Sequence, residues 1–600
     1  MALPALHVIF HGDRSLTFYT LNEINLWPFL VLHLSGRPVY VLSIEPVVPS
    51  ARGLIERILA AVGRWRPIRK CIEVMATLAP YDAGRGEIAI SHLYPRLEPE
   101  VSNFFGLGRQ GLGDYESIFR HATSSRIKIL LEKMVEIRTC EADMRKKGIR
   151  LKGVPYDLYD LYRVIYGEPP ATVDPSARVG RWFLNLVISA AVVAKGIAIV
   201  ARSFGRRPSG AKPIPLGADL ADQIVREFFA QIAHDPKEIA FVFRSRSMAK
   251  FIDPATHARY RHLTLNDGAL SWRQAWDGLG LLLADTAMLF RELSALSPWL
   301  YFPVVRQVAK RLEFRAFFNR HRFLYFMARD EYNTDHITRS QELRRAGARS
   351  FGILHGMSTG PTICPHIRYL DYDVLYVFGK HQHNAYADTW PKQMIVKTTG
   401  AYRLTREQLA RERRPHGRDI IVFGNQISDP PGYIRIAAAI VRSFPDRTIY
   451  LKLKYPRERL GADHHDAYLD QFAPLPENVR IVYGPPYELF QKSGYSFSAL
   501  STVVGEALQM GLISFFIDAY QPEQDILFRD FPDLCVISAE AAVERILATE
   551  SGRWTYPRER FADLIDLSDR NIFDEIRGDL GLPPFVQDAG SQAAWVAAHG

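Results

Sequence analysis

Three stretches of this 600-residue chain concentrate hydroxyls, carboxylates and cations at positions where they could do chemistry. The densest runs Gly494-Tyr-Ser-Phe-Ser-Ala-Leu-Ser-Thr-Val-Val-Gly-Glu-Ala-Leu508. It reads as a turn and then a helix, with Gly511 as the stop and Leu512 to Ile517 as a core strand ending in Asp518. Tyr495, Ser496, Ser498, Ser501 and Thr502 gather hydroxyls before and at the helix start. Ser501 suits the N-cap, because its oxygen can accept from a first-turn amide. The remaining first-turn amides and the positive end of the helix dipole would then favour an anion such as phosphate. Glu506 lies one turn on from Thr502, on the same helix face, where a carboxylate can reach ribose hydroxyls. The second stretch, Leu451-Lys-Leu-Lys-Tyr-Pro-Arg457, sets Lys452, Lys454, Tyr455 and Arg457 around a strand end, and Gly484 follows the next strand. The third holds acids and bases: Asp330 and Glu331, with Asp335, after one strand, and His355-Gly356 after the next. An Asp, Glu or His can take a proton from a hydroxyl, while Lys, Arg and helix amides stabilise a departing phosphate. Glycosyl or phospho-group transfer needs few other parts.

Such residues act together only if sheets hold them on one edge. From Arg322 the pattern of strand, loop and helix is regular. Expected strands are Phe323–Ala328, Ser350–Leu354, Asp373–Phe378 and Met394–Thr399, with a helix from Thr334 to Arg345 stopped by Gly347. A second series begins at Asp419–Gly424 and continues with Arg447–Leu453, Val479–Tyr483, Leu512–Ile517 and Leu534–Ile537. This alternation predicts an α/β fold with doubly wound parallel sheets, whose ligand loops lie at the carboxyl ends of the strands. The N-terminus reads the same way: a strand over Leu6–Phe10, a helix over about Leu16–Leu34 and a strand over Arg37–Ile44. The implied division is an N-terminal acceptor-side domain over 1–400 with a helical insertion over about 120–320, a linker at 401–418, a C-terminal nucleotide-sugar domain over 419–557 and a helical tail over 558–600.

The totals are those of a folded protein too long for one core: 47% hydrophobic and 23% charged residues. The net charge of +10 suits an anionic partner. Cys71, Cys140, Cys364 and Cys535 are far apart, which argues against a disulfide framework or a zinc site and fits a reducing compartment. The start of the chain lacks the basic and long apolar segments of a signal peptide. Trp182 to Ala201 carries one charge, Lys195, in twenty residues. That length suits a membrane-spanning helix, an interfacial or re-entrant helix, or a buried core helix. Val304 to Phe323 is a basic amphipathic helix that fits a core-packed helix with a solvated face, or an anionic lipid surface. No nucleic-acid motif accompanies the charge. No pair of acids on a suitable loop offers metal ligands, and Asp463-His-His-Asp466 reads as a solvated loop.

The Ser501-Thr-Val-Val-Gly-Glu-Ala-Leu508 segment, followed by Gly511 and a strand, looks like the nucleotide-binding segment of GT-B glycosyltransferases. The Ile353-Leu-His-Gly356 loop, the Lys452-to-Arg457 motif and the Tyr495–Ala507 segment together resemble bacterial surface-polysaccharide transferases. These are the polysialyltransferase and Kdo-transferase groups and the teichoic-acid glycerophosphotransferases. The resemblance spans about Phe323 to Ile546. It implies two Rossmann-like domains facing a cleft, with His355 or Asp330 as the base and Ser498, Ser501 and Thr502 as phosphate ligands. Tyr455 stands where those families place a histidine; a phenol hydrogen-bonds a phosphate but is uncharged at neutral pH. Arg457, Lys452 or Lys454 would then supply the cation. The resemblance implies a nucleotide-sugar donor as co-substrate with no further cofactor and no metal. It also implies a glycan or lipid-linked acceptor and a place in the cytoplasm at the inner face of the cell membrane. A nucleotide-sugar epimerase of the same fold, or a non-catalytic scaffold for glycan assembly, are the alternative readings.

Overall fold

The computed structural model describes most of residues 176–582 and, before them, 6–11, 14–21, 26–35, 39–44, 52–67, 69–70, 110–126 and 149–151. Within the later part, 210–211, 220–231, 233–234, 245–257, 297, 330, 358–364, 403, 405–407, 409–416, 427–428, 461, 521, 523–525 and 569–571 lie outside the description. Asp330 is among them, as is most of the expected linker.

The first sheet is made of β1 (Leu6–His11), β2 (Arg14–Leu21), β3 (Val39–Ile44), β4 (Arg69–Lys70) and β5 (Ile149–Leu151), in the order β4-β3-β2-β1-β5. Here the expectation fails. β1 turns back antiparallel onto β2 with His11 opposite Arg14, so Leu16 to Leu21 is strand, and the helix α1 starts only at Leu26 and ends at Leu34. Residues Arg14-Ser-Leu-Thr-Phe-Tyr-Thr-Leu21 alternate and carry β-branched and aromatic side chains, a period-two pattern that outweighs a helical reading.

The second sheet is wholly parallel. Its strands are β6 (Ile214–Asp219), β7 (Ile239–Phe243), β8 (Arg261–Thr264), β9 (Phe323–Ala328), β10 (Arg349–Ile353), β11 (Val374–Val377) and β12 (Ile395–Thr398). The order β12-β11-β10-β9-β6-β7-β8 means that the chain winds outward from β6, returns beside it at β9, and winds outward the other way. β6, β7 and β8 fall inside the segment expected to be a helical insertion. They are short and apolar, buried at nearly every residue of β6 and β7, and such runs do not declare their period.

The third sheet repeats this winding with β13 (Asp419–Gly424), β14 (Ile449–Leu453), β15 (Val479–Val482), β16 (Ser493–Ser498), β17 (Ile513–Ile517) and β18 (Cys535–Val536), ordered β15-β14-β13-β16-β17-β18. All its pairings are parallel. Two Rossmann-like doubly wound domains are therefore present, the GT-B-like arrangement expected. β16 corrects one reading: Gly494 to Ser498 is the central strand beside β13, not a turn. Its Ser-Gly-Tyr-Ser-Phe-Ser sequence lacks an apolar run, yet every residue is buried. Phe497 enters an apolar core and the Ser496 hydroxyl bonds that of Ser514 on β17 at 2.9 Å.

Three long helices flank the second sheet: α2 (Ser176–Ser203), α3 (Trp272–Leu293) and α4 (Pro298–Arg320). Ser271 and Gln274 form a reciprocal capping box at the start of α3. The basic residues of α4 do not face solvent as a stripe. Arg306 pairs with Asp335, Lys310 with Glu313, Arg311 with Asp114 and Arg315 with Glu342. Each cation meets a carboxylate of the protein itself, so this helix is a core-packed element with internal ion pairs. The tail closes the molecule. Asp566 N–H donates to Phe378 O at 2.8 Å, and Asp579, on helix α5 (Ile572–Asp579), accepts from Tyr376 at 2.6 Å and Lys397 at 2.6 Å. The tail thus crosses back to the first Rossmann-like domain.

Candidate functional site

In doubly wound sheets ligands lie outside the carboxyl ends of the strands, at the point where the winding reverses. That point is between β6 and β9 in one domain and between β13 and β16 in the other. The two carboxyl edges meet. A Cβ added to Gly356, after β10, would sit 3.3 Å from Thr502 Oγ1, after β16. One added to Gly505 would meet Met357 Sδ at 2.6 Å. The buried amide side chain of Gln509 accepts from the Ala401 amide at 2.8 Å. His355-Gly356 is therefore at the mouth of the helix α6 (Val503–Gln509), as the sequence reading requires.

On the first wall, His355 is exposed and its ring stands edge-on to Tyr332, centroids 5.7 Å apart. Glu331 is buried to 1%, and its Oε1 accepts the His355 backbone amide at 2.6 Å. The Glu331 carbonyl takes a hydrogen bond from His121 Nε2 at 2.7 Å. Gln382 Nε2 donates to Gly356 O at 2.6 Å while its Oε1 accepts from Phe378 N–H. The loop is thus pinned from both sides, and the side chain that faces solvent is the histidine. Glu331, expected beside His355 as a catalytic carboxylate, instead holds the loop. Asp335, also near it in sequence, is buried in ion pairing with Arg306 and hydrogen bonding from Gln307; burial would raise its pKa, but these cations and donors hold it below the ordinary carboxylate value.

On the second wall, α6 begins one residue later than expected. Thr502 stands at the N-cap position without a side-chain capping bond, and Ser501 Oγ accepts from Val503 N–H at 3.4 Å. Val504 N–H donates to Ser501 O. The first helical amides are already engaged, so this junction presents the Ser501 and Thr502 residues rather than a bare helix end. Ser498 and Glu506 are buried at this junction. Ser496 lies mid-strand with its hydroxyl spent on Ser514, away from the edge. Lys454 is exposed, with its ammonium 5.2 Å from the Tyr455 ring centroid. Lys452 is buried, its ammonium donating to Leu453 O at 2.8 Å; burial pushes its pKa down to about 8. Arg457 is drawn away into an exposed ion pair with Asp466 at 2.5 Å. Gly484 takes a left-handed φ of 83° at the end of β15. Asp463-His-His-Asp466 is not a loop but part of a helix, Ala462–Asp470, where His465 is buried against the Tyr483 hydroxyl at 2.7 Å. Among the described residues no group of three His, Cys, Asp or Glu side chains is arranged to hold a metal.

A polar cluster at the reversal point was missed by sequence reasoning. After β13, Asp429 Oδ2 accepts from the Asn425 amide at 2.6 Å and from the Tyr468 hydroxyl at 2.7 Å. Gln426 grips Tyr455 by both backbone groups, donating to its carbonyl at 2.6 Å and accepting from its amide at 3.0 Å. Burial pushes the Asp429 pKa up to about 7, against the pull of its two hydrogen-bond donors and Lys454. The signal available was the polar Asn425-Gln-Ile-Ser-Asp429 loop directly after the first strand of the domain. With the folded pKa above the unfolded one, the folded state binds more protons between about pH 4 and pH 7, so stability falls as pH rises through that window. Asp429→Asn keeps an acceptor for both donors and removes the titration. Its melting temperature should therefore change less than that of the wild type between pH 4 and pH 7, and exceed it at pH 8. Parallel curves would remove Asp429 as the source.

No family model matches this chain, and no curated protein matches it at a significant level. Among solved structures, it is similar to CalG4, the calicheamicin glycosyltransferase, at 14% identity over 61% of this chain and 98% of that one, TM-score 0.35. It is similar to MurG of Acinetobacter baumannii at 10% identity over 61% and 98%, TM-score 0.34. The UDP-GlcNAc 2-epimerase of Neisseria meningitidis bound to UDP-GlcNAc gives 10% identity over 61% and 98%, TM-score 0.36. These likenesses are too remote to carry an argument about activity. The fold assignment rests on this chain's own sheet order.

Proposed function

We propose that this chain is a glycosyltransferase of the GT-B type, moving a sugar from a nucleotide-sugar donor to a bacterial surface polysaccharide or glycolipid. The single observation that carries the reading is the meeting of the His355-Gly356 loop of one Rossmann-like domain with Thr502 at the α6 start of the other. One wall carries the exposed imidazole of His355; the other carries the Ser501 and Thr502 hydroxyls and, at a neighbouring strand end, Lys454. In the proposed step His355 takes the proton of an acceptor hydroxyl. That oxygen bonds to the anomeric carbon while the bond from this carbon to the donor's phosphate oxygen breaks. The charge that develops on the leaving nucleotide is met by Ser501, Thr502 and Lys454. Protein groups alone supply these roles, so no metal or further cofactor enters the proposed step. The polysialyl, Kdo and teichoic-acid transferase resemblance supports a cell-envelope acceptor, and the net positive charge supports a site at the inner face of the membrane.

The test is a thermal-shift screen of CMP-, CDP-, UDP- and GDP-sugars, followed by an assay for released nucleotide. One donor class should raise the melting temperature, since a ligand at about a hundred times its dissociation constant adds about 2.7 kcal/mol to the folded state. Free nucleotide should then appear only when acceptor glycan is added. Conversion of the sugar without acceptor would mark an epimerase, and neither binding nor release would mark a scaffold.

A further inference from the structure

The geometry points to a lipid bilayer as the partner of a face shared by α2 and α3, which we propose lies flat in the membrane interface. Trp182–Ser203 of α2 is long and apolar enough to cross a membrane, with mean hydropathy 2.2, yet it is only 39% buried. Its buried side is bound into the protein. Asn185 Nδ2 donates to Ser294 O and Leu296 O, both at 2.9 Å, Ser189 Oγ lies 2.6 Å from the Tyr301 hydroxyl, and Ile188, Val192 and Ile199 join an apolar core with α4. A helix so tied along one side to an ion-paired helix cannot stand alone across a bilayer.

The other side of α2 is exposed among the described residues. Phe183 is 61% exposed, Val187 47% and Ile197 50%, and alanines at 190, 191, 194 and 198 fill the same face. α3 runs antiparallel beside it, as the pairings Trp182–Phe290 at one end and Phe204–Trp272 at the other require. α3 adds Trp276, 57% exposed, and Leu283, 57% exposed, to the same surface. Close approach is permitted by Gly196, where a Cβ would meet Leu282 at 2.6 Å. The result is an apolar strip with aromatic residues along it, a surface that can bury its apolar side in the boundary between headgroups and acyl chains.

The charges on its border choose the occupant. Lys195 lies at the α4 side of α2, near Lys310 and Glu313, Arg273 adjoins Trp272, and Arg207 and Lys212 follow Phe204; these four cations are exposed, and Asp277 is an exposed acid beside Trp276. A second copy of this chain would bring this mostly cationic border against itself, whereas an anionic phospholipid surface would neutralise it. The position also suits the site. Asn333 and Asp335, after the carboxyl end of β9, bond Arg306 on α4, so the earlier half of α4 stands at that edge. Asn185 and Ser189 of α2 are tied to this same half and to the residues just before it. The Trp182–Phe183 end of the strip is therefore on the side of the His355 loop, where a lipid-linked acceptor would arrive; only this last point rests on the glycosyl-transfer reading.

Flotation of the full-length protein with vesicles of phosphatidylglycerol in phosphatidylethanolamine tests the proposal without donor or acceptor, so its failure is separate from a failure of the transferase assay. The wild type should float. Phe183→Ser with Trp276→Ser, at exposed positions outside the core, should keep its melting temperature and lower the bound fraction at limiting lipid by about tenfold or more, the size expected for two lost aromatic anchors. Tryptophan fluorescence of the wild type should also be quenched by vesicles of the same composition carrying brominated chains. A wild type that stays with the solvent fraction, a double variant that floats equally well, or a wild-type dimer that the variant converts to monomer would each overturn the assignment.

Discussion

Turnover should fall by about 10²- to 10⁴-fold when His355 is replaced by Ala, with the melting temperature unchanged. The side chain is exposed, so its loss opens no cavity, and its backbone amide still reaches Glu331. The ring also stands edge-on to Tyr332, which is itself exposed. Glu331 should behave differently, because its carboxylate is buried and accepts the His355 amide. Glu331→Gln retains an oxygen for the His355 amide and should keep most of the activity. Glu331→Ala leaves that amide without its partner, frees the loop from its approach to Thr502, and should lower both turnover and melting temperature. Measurement of kcat and melting temperature together separates the roles, since His355→Ala should lower only the first and Glu331→Ala both. Full activity in His355→Ala would remove it as the base.

That division of labour was only half legible in the sequence. Spacing places His355, Glu331 and Lys454 at strand ends, because the βα alternation from Phe323 onward is regular and those strands are apolar runs, and it places Ser501 and Thr502 at a helix start. Spacing does not say which way a side chain turns. Glu331 and Ser496 are polar residues satisfied inside the protein, and Arg457 finds Asp466; each outcome depends on a partner that local pattern does not name. β16 was hidden because four of its six residues are Ser or Gly while its burial comes from neighbours on both sides. β6 to β8 were hidden among helices because strands of four to six residues carry too little period to separate from helix. α2 is the opposite case. Its apolar run reads plainly, but only the packed structure shows that one side serves the core and the other is uncovered.

Gly379→Ala should cost more stability than any other single methyl group added at the domain junction, and it should abolish transfer as well. A Cβ there would lie 2.4 Å from the carbonyl oxygens of both Asp563 and Leu564 and 2.5 Å from the Leu564 carbonyl carbon. All three are backbone atoms, so no side chain can rotate away, and the segment that leads to α5 must move. Hydrogen bonds that fix this segment stand on either side of the contact: His381 N–H to Asp563 O at 2.7 Å and Asp566 N–H to Phe378 O at 2.8 Å. The strain of overpacking is typically about 1–3 kcal/mol, and loss of either bond adds about 1 kcal/mol. The consequence reaches the site because the same segment carries Ile565, which a Cβ on Gly505 in α6 would meet at 3.0 Å, so displacing it releases the helix that carries Thr502. Differential scanning calorimetry should show a lower first transition and loss of its coupling to the second, since the tail no longer ties the domains together. Glycine at 417, where the close atom is the Lys492 carbonyl oxygen at 2.7 Å, provides the comparison. It touches the amino end of the third sheet, where β13 and β16 begin, rather than the junction, so Gly417→Ala should lower stability by less and leave the shape of the melt intact.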